Sequence, residues 1–238
     1  NFATIVKAVE FGRAIYNNLF SYIRFQMSAL VAFIVAYLLA AVFLILGGVP
    51  FTPLVVLWVN FLVQVPIAIT LGFGKPVPGL MERKPRPLRQ PILSRAQWVR
   101  VTLMGLVMAV ATVAVEAVYE DEGAVVAATM GFALFSVFNI VLGLTSRSET
   151  DSVFTRETVS DSRQLLLVGI AFAFTILPTQ LDFLQRWLGL TELTGYQWLI
   201  VLGLGMALVL VDEVVKIFMR SRRHPLEMPP PMRPAIAV

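Results

Sequence analysis

Asn60 and Gln64 stand four residues apart inside an otherwise apolar run, LVVLWVNFLVQVPIAITLGF (54–73), and Pro66 follows two positions later. Residues four apart lie on one face of a helix, so the two carboxamides point the same way. Proline has no amide hydrogen, so Pro66 leaves the carbonyl of Leu62 without its helical donor. Two side-chain amides and one released backbone oxygen make a set of uncharged donors. Such a set suits a monovalent cation, a polar headgroup or a cluster of ordered water. The competing account is structural: amides in an apolar setting bond across helices as packing glue, each bond contributing on the order of 0.6–2 kcal/mol. Both accounts stand at this level.

The elements that must position these groups are membrane helices. Of 238 residues, 58% are hydrophobic and 14% charged, and the mean hydropathy is +0.79, far above what a soluble domain of this size carries. A spanning helix needs about 20 largely apolar residues. Six stretches satisfy this, near 21–46, 54–73, 97–118, 124–144, 164–183 and 196–218. Before them, residues 2–22 alternate Ile5, Ala8, Val9, Gly12, Ile15 and Tyr16 with Lys7, Glu10, Arg13, Asn17 and Asn18 at helical spacing. That pattern predicts one helix running from an aqueous segment into the first span. The expected fold is all-α: a polytopic six-helix transmembrane bundle whose first helix extends as a cytoplasmic stalk. Its organisation divides into a stalk over 1–20, the membrane domain over 21–218 and a proline-rich, disordered tail over 219–238.

Charge sets the expected orientation. With the amino terminus cytoplasmic, every Lys and Arg except Arg186 falls on the cytoplasmic side or within about two helical turns of it. The net charge of +4 and pI near 9.7 therefore follow topology and not a nucleic-acid surface, and both termini are placed in the cytoplasm. The basic loop GKPVPGLMERKPRPLRQPILSR is interleaved with prolines and reads as an extended headgroup anchor. Trp187, Tyr196 and Trp198 mark one interface and Trp98 the other. The absence of cysteine excludes disulfides and thiolate chemistry, and the lone His224 in the tail offers neither a metal site nor a general base. The first residues, NFATIVKAVEFGRAIYNN, have no secretory-leader pattern and read as a helix already under way.

The remaining polar residues carry weaker expectations. Gln26 and Ser28 either line an access path or bond locally. Glu116, one turn from the acidic YEDEG, is expected to be solvated, with a proton or ion exit role as the sharper alternative. Asp212 and Glu213 pair with Lys216 along their own helix. Arg24 is expected to snorkel to headgroups, and Pro178 to kink the fifth span.

Several segments together resemble a known family: NFATIVKAVEFGRAIYNN, LWVNFLVQVPIAITLGF, GLMERKPRPLRQPIL, TMGFALFSVFNIVLGLTSRS and WLIVLGLGMALVLVDEVVKIFMR. In order and spacing they are similar to the carboxy-terminal membrane half of the P-type cation-transporting ATPases, nearest the calcium-pump group. The resemblance covers residues 1 to about 222. It implies that the spans are the fifth to tenth of a pump and that residues 1–20 join the membrane to a phosphorylation domain. The family's DKTGT, TGE and GDGxND motifs do not occur here, so this chain is not expected to hydrolyse ATP by itself. ATP and Mg belong to the parent pump. The partners implied are the lipid bilayer, the amino-terminal helices and cytoplasmic domains of that pump, and a transported cation; the plasma membrane is the expected location.

Residue by residue, the resemblance places the transport site at Asn60, Gln64 and Asn139, with Leu62 and Pro66 beside them. The family's NxxTD signature keeps its asparagine as Asn60, while Val63 and Gln64 stand where threonine and aspartate do. Leu30 and Phe33 occupy the asparagine and glutamate positions of the first span, and Asn139 stands where glutamate or glutamine is frequent. Every membrane carboxylate of the calcium-pump site is thus neutral. A dehydrated divalent ion there would lack countercharge, a deficit on the order of several kcal/mol or more per charge. The expected function is the ion-pathway domain of an ATP-driven pump for another cargo, or for a site completed by other helices. The alternative is a degenerate scaffold or regulatory domain that keeps the fold without a transport site.

Overall fold

The computed structural model describes residues 1–74, 81, 92–147 and 162–221. The predicted basic loop, apart from its ends and Met81, and most of the predicted tail lie outside the described residues. The described chain is all-helical, with six helices long and apolar enough to cross a membrane. They are α1 (Phe2–Phe43), α2 (Pro53–Gly72), α3 (Arg95–Tyr119), α4 (Ala124–Thr145), α5 (Ser162–Gln180) and α7 (Gly195–Ser221); the short α6 (Asp182–Leu188) lies between the last two. The end bearing residues 44–53 and 119–123 is called distal here, and the opposite end proximal.

Helix starts follow local chemistry. The Asn1 side chain accepts the Ala3 amide at 3.0 Å, and Thr52 accepts the Val55 amide at 3.3 Å, directly before Pro53. Ser94 and Gln97 satisfy one another's amides in a capping box that opens α3. The amphipathic segment and the first span form one uninterrupted helix of 42 residues, ending where Leu44 turns left-handed at φ 57° and donates its amide to Ala40.

Packing sorts the helices by side-chain size. Along α1, Ala29, Ala32, Ala36 and Ala40 are buried, and α3 lies close against α1. A Cβ added at Gly105 would come within 2.7 Å of Val31 and 2.8 Å of the Ser28 carbonyl. Small residues substitute here for the hydrophobic drive that lipid cannot supply between helices. Helix α4 is the axis of the bundle. It touches α1, α2, α3, α5 and α7, and 78% of its most apolar window is buried, against 28% for α5 and α7. A helix apolar all round and free of charge belongs in that place.

Candidate functional site

Helix α2 is not regular. Its α-helical turns (Pro53–Trp58 and Gln64–Gly72) are separated by a π-helical turn over Val59–Val63, in which the Gln64 amide bonds back five residues to Val59. A π turn packs one extra residue into the helix and recurs at functional positions. Here it sits two residues ahead of Pro66, which cannot donate to Leu62 and whose ring crowds the preceding turn. The proline break read from the sequence therefore takes the form of a widened turn and not a sharp kink.

Gln64 is 4% exposed and Asn139 of α4 is fully buried. Gln64 Nε2 donates to Asn139 Oδ1 at 3.1 Å, and Asn139 Nδ2 donates to the Phe135 carbonyl at 2.8 Å. One turn towards the proximal end, the Ile67 side chain occupies the space a Cβ would need at Gly143, so this glycine lets α2 and α4 approach. Asn60, half-buried, turns its amide to its own helix, donating to Val56 at 2.8 Å. Leu62 is half-buried and Pro66 buried. Two of the sequence-derived amides thus meet across helices, while the third bonds the turn before it. The Ser136 hydroxyl, one turn before Asn139 on α4, is buried with no partner among the described residues.

On α1, Leu30 is exposed. The Phe33 ring centroid lies 4.4 Å from that of Phe135 and 5.8 Å from that of Phe51. Aromatic packing fills the position that resemblance assigns to a carboxylate.

A buried charged cluster lies at the proximal end, and only its intrahelical part was legible in the sequence. Arg100 of α3 donates to Asp212 Oδ1 of α7 through Nε at 2.9 Å and Nη2 at 2.7 Å. Lys216 Nζ lies 3.1 Å from Asp212 Oδ2 and 3.7 Å from Glu213 Oε1. The intrahelical pairing expected for Lys216 is present, but Arg100, 112 positions from Asp212, completes it. Arg24 does not snorkel. It is 5% exposed and donates to Ser21 Oγ at 3.1 Å and to the Ser146 carbonyl at 2.9 Å. Arg100 also donates to the Thr145 carbonyl at 3.1 Å. Two arginines from two helices therefore hold neighbouring carbonyls at the carboxy-terminal end of α4, where the helix dipole favours cations.

Glu116 is not solvated either: it is fully buried, with both oxygens unpartnered among the described residues. Burial came from Gly131 of α4, whose missing side chain admits the carboxyl. At the distal end a cavity of about 250 Å³ is lined by Leu46, Phe51, Thr52, Glu120, Ala124 and Leu190, among others. No group of three or more His, Asp or Glu among the described residues is placed to hold a metal ion.

Comparison with known proteins fits this architecture. Residues 48–218 match the family model described as "Cation transporting ATPase, C-terminus". The chain is 32% identical over 229 residues to "Calcium-transporting ATPase 1" of Schizosaccharomyces pombe, covering 93% of this chain and 25% of that protein. It is 28% identical over 225 residues to "Calcium-transporting ATPase 1" of Yarrowia lipolytica, at 93% and 24% coverage. To "Calcium-transporting ATPase 4, endoplasmic reticulum-type" of Arabidopsis thaliana it is 24% identical over 273 residues, at 91% and 26% coverage. The chain spans about a quarter of the length of each of these relatives. With a six-span helical bundle and a family match across most of its length, this chain belongs to the P-type cation-transporting ATPases, as a carboxy-terminal membrane domain.

Proposed function

We propose that this domain forms part of the ion pathway of an ATP-driven cation pump, with the α2–α4 contact at Gln64 and Asn139 as its neutral transport site. The observation that carries the reading is a hydrogen-bonded pair of buried amides joining two spans directly beside a π turn. A widened turn with a proline after it holds backbone oxygens away from regular pairing, and Asn60 on that turn adds a side-chain oxygen. The relatives' printed names point to calcium as the cargo of those proteins. The uncharged donors here favour a monovalent cation, or a divalent one whose countercharge comes from other helices of the pump. ATP and Mg act in the parent protein, and phosphorylation there drives alternating access through residues 1–20 into α1. The positive-inside pattern supports cytoplasmic termini, and the plasma membrane is the proposed location.

A second reading has its own support. Each amide nitrogen of Asn60, Gln64 and Asn139 is already engaged within the chain, and Phe33 packs against Phe51 and Phe135. A membrane scaffold without a transport site would have this inward satisfaction. In the full-length protein, Asn60→Ala and Gln64→Leu separate the two. Altered cation dependence of ATPase activity in either variant supports the pathway, and unchanged dependence in both supports the scaffold.

A further inference from the structure

Glu116 lies in the distal half of α3, fully buried, and neither of its oxygens meets a hydrogen-bond donor among the described residues. Thr112, one turn earlier on the same helix face, is likewise fully buried with its hydroxyl unpartnered. The carboxyl rests on Gly131, where any Cβ would fall inside it. Among the described residues, the elements packed around it bring no cation to its level. Helix α4 contains no titratable residue, and along α1 from Phe25 to Phe43 the only one is Tyr37. Tyr37 is within electrostatic reach of Glu116, but its hydroxyl is committed to the Phe51 carbonyl at 2.7 Å. Among the described side chains, the charged groups of α7 are Asp212, Glu213 and Lys216, towards its proximal end. On α3 itself the cations are Arg95 and Arg100, at its proximal end, and the turn after it adds Glu120, Asp121 and Glu122, all of the same sign as Glu116. A carboxylate without donor or countercharge is costly in such surroundings. One bound proton removes the charge and turns an oxygen into a donor, for which the unused Thr112 oxygen is an acceptor on the same face.

A way out is present. Glu120 stands one turn further along α3, half-buried; it lines the distal cavity and accepts the Leu46 amide at 3.0 Å. We propose that Glu116 is a proton-binding site, separate from the Gln64–Asn139 contact, that exchanges with the distal aqueous face by way of Glu120. The carboxylate gains one O–H bond from a proton delivered from water through the Glu120 carboxylate, and releases it by the same route. No electron is transferred and no other bond changes.

The test uses the full-length protein in phosphatidylcholine vesicles treated with N,N′-dicyclohexylcarbodiimide, an apolar reagent that adds to protonated carboxyl groups. Modification is mapped by peptide mass spectrometry. Glu116 is expected to be modified severalfold more in mildly acidic than in alkaline buffer, and Glu116→Gln to abolish the mass shift on that peptide. After an external pH jump, Glu120→Gln is expected to slow the change in labelling severalfold. A Glu116 left unmodified in acidic buffer, or modified equally in both buffers, overturns the site. Unchanged kinetics in Glu120→Gln overturn the route. The labelling needs neither ATP nor a transported ion, so failure of the Gln64–Asn139 reading leaves this result intact, and the reverse also holds.

Discussion

Replacing Asp212 by alanine removes the carboxylate that, among the described residues, faces two buried cations at once. Its carboxylate takes two hydrogen bonds from Arg100, at 2.7 and 2.9 Å, and lies 3.1 Å from Lys216. The side chains of all three residues are 6% exposed or less. After the substitution Glu213, 3.7 Å from Lys216 and 19% exposed, compensates one cation in part; among the described residues Arg100 keeps the Thr145 carbonyl alone. Breaking a buried pair from one side costs about 3–5 kcal/mol, because the orphaned charge remains in a poor solvent. At about 1.4 kcal/mol per tenfold, the lower bound already exceeds a hundredfold in the folding equilibrium. Asp212→Asn retains an oxygen for Arg100 and should lose less, about 1.5–3 kcal/mol. The combined variant Arg100→Met, Asp212→Leu, Lys216→Met removes every charge at once and should recover most of the stability. The assay is unfolding of the full-length protein in mixed detergent micelles followed by tryptophan fluorescence. An Asp212→Ala variant within about 0.5 kcal/mol of the parent protein, or a triple variant as unstable as the single one, would refute the reasoning.

Two further outcomes follow from close contacts. Gly143→Ala places a methyl group on the Ile67 side chain and should destabilise the same protein by about 1–3 kcal/mol, with Ile67→Ala in the same chain restoring most of the loss in the same unfolding assay. Arg24→Ala strips the Ser146 carbonyl and Ser21 of a buried donor and should cost about 1–3 kcal/mol; Arg24→Lys should restore only part of it, since a single ammonium lacks the guanidinium fork.

The legible part of this fold was the part set by solvent. Hydropathy located six spans because lipid imposes one length and one polarity on each, and residues 2–22 revealed the extension of α1 by their periodicity. Gln64 stood out as an amide in an apolar run, and its partner Asn139 was reached only through family resemblance. Nothing local distinguishes an asparagine that meets another helix from one that bonds to its own, as Asn60 does. Pro66 announced a break, yet a π turn and a kink have the same sequence signature. The misreadings share one cause. Arg24 and Glu116 were judged by their distance along the chain from water, while their burial depends on Ser146 and Gly131 of α4. Arg100 and Asp212 are 112 positions apart, and only the bundle brings them together.

The grip of Arg24 and Arg100 on adjacent carbonyls of Ser146 and Thr145 gives the bundle an uneven stiffness. At that level α1, α3 and α4 are pinned to a common point, and Asp212 ties α7 to the same knot. Near the other rim the ties are single and uncharged on at least one side, as where Glu120 accepts the Leu46 amide and Tyr37 donates to the Phe51 carbonyl, and a cavity adjoins Glu120. A push arriving along α1 would therefore splay the bundle like the ribs of a fan, with little sliding at the knot and the widest excursion at the far rim.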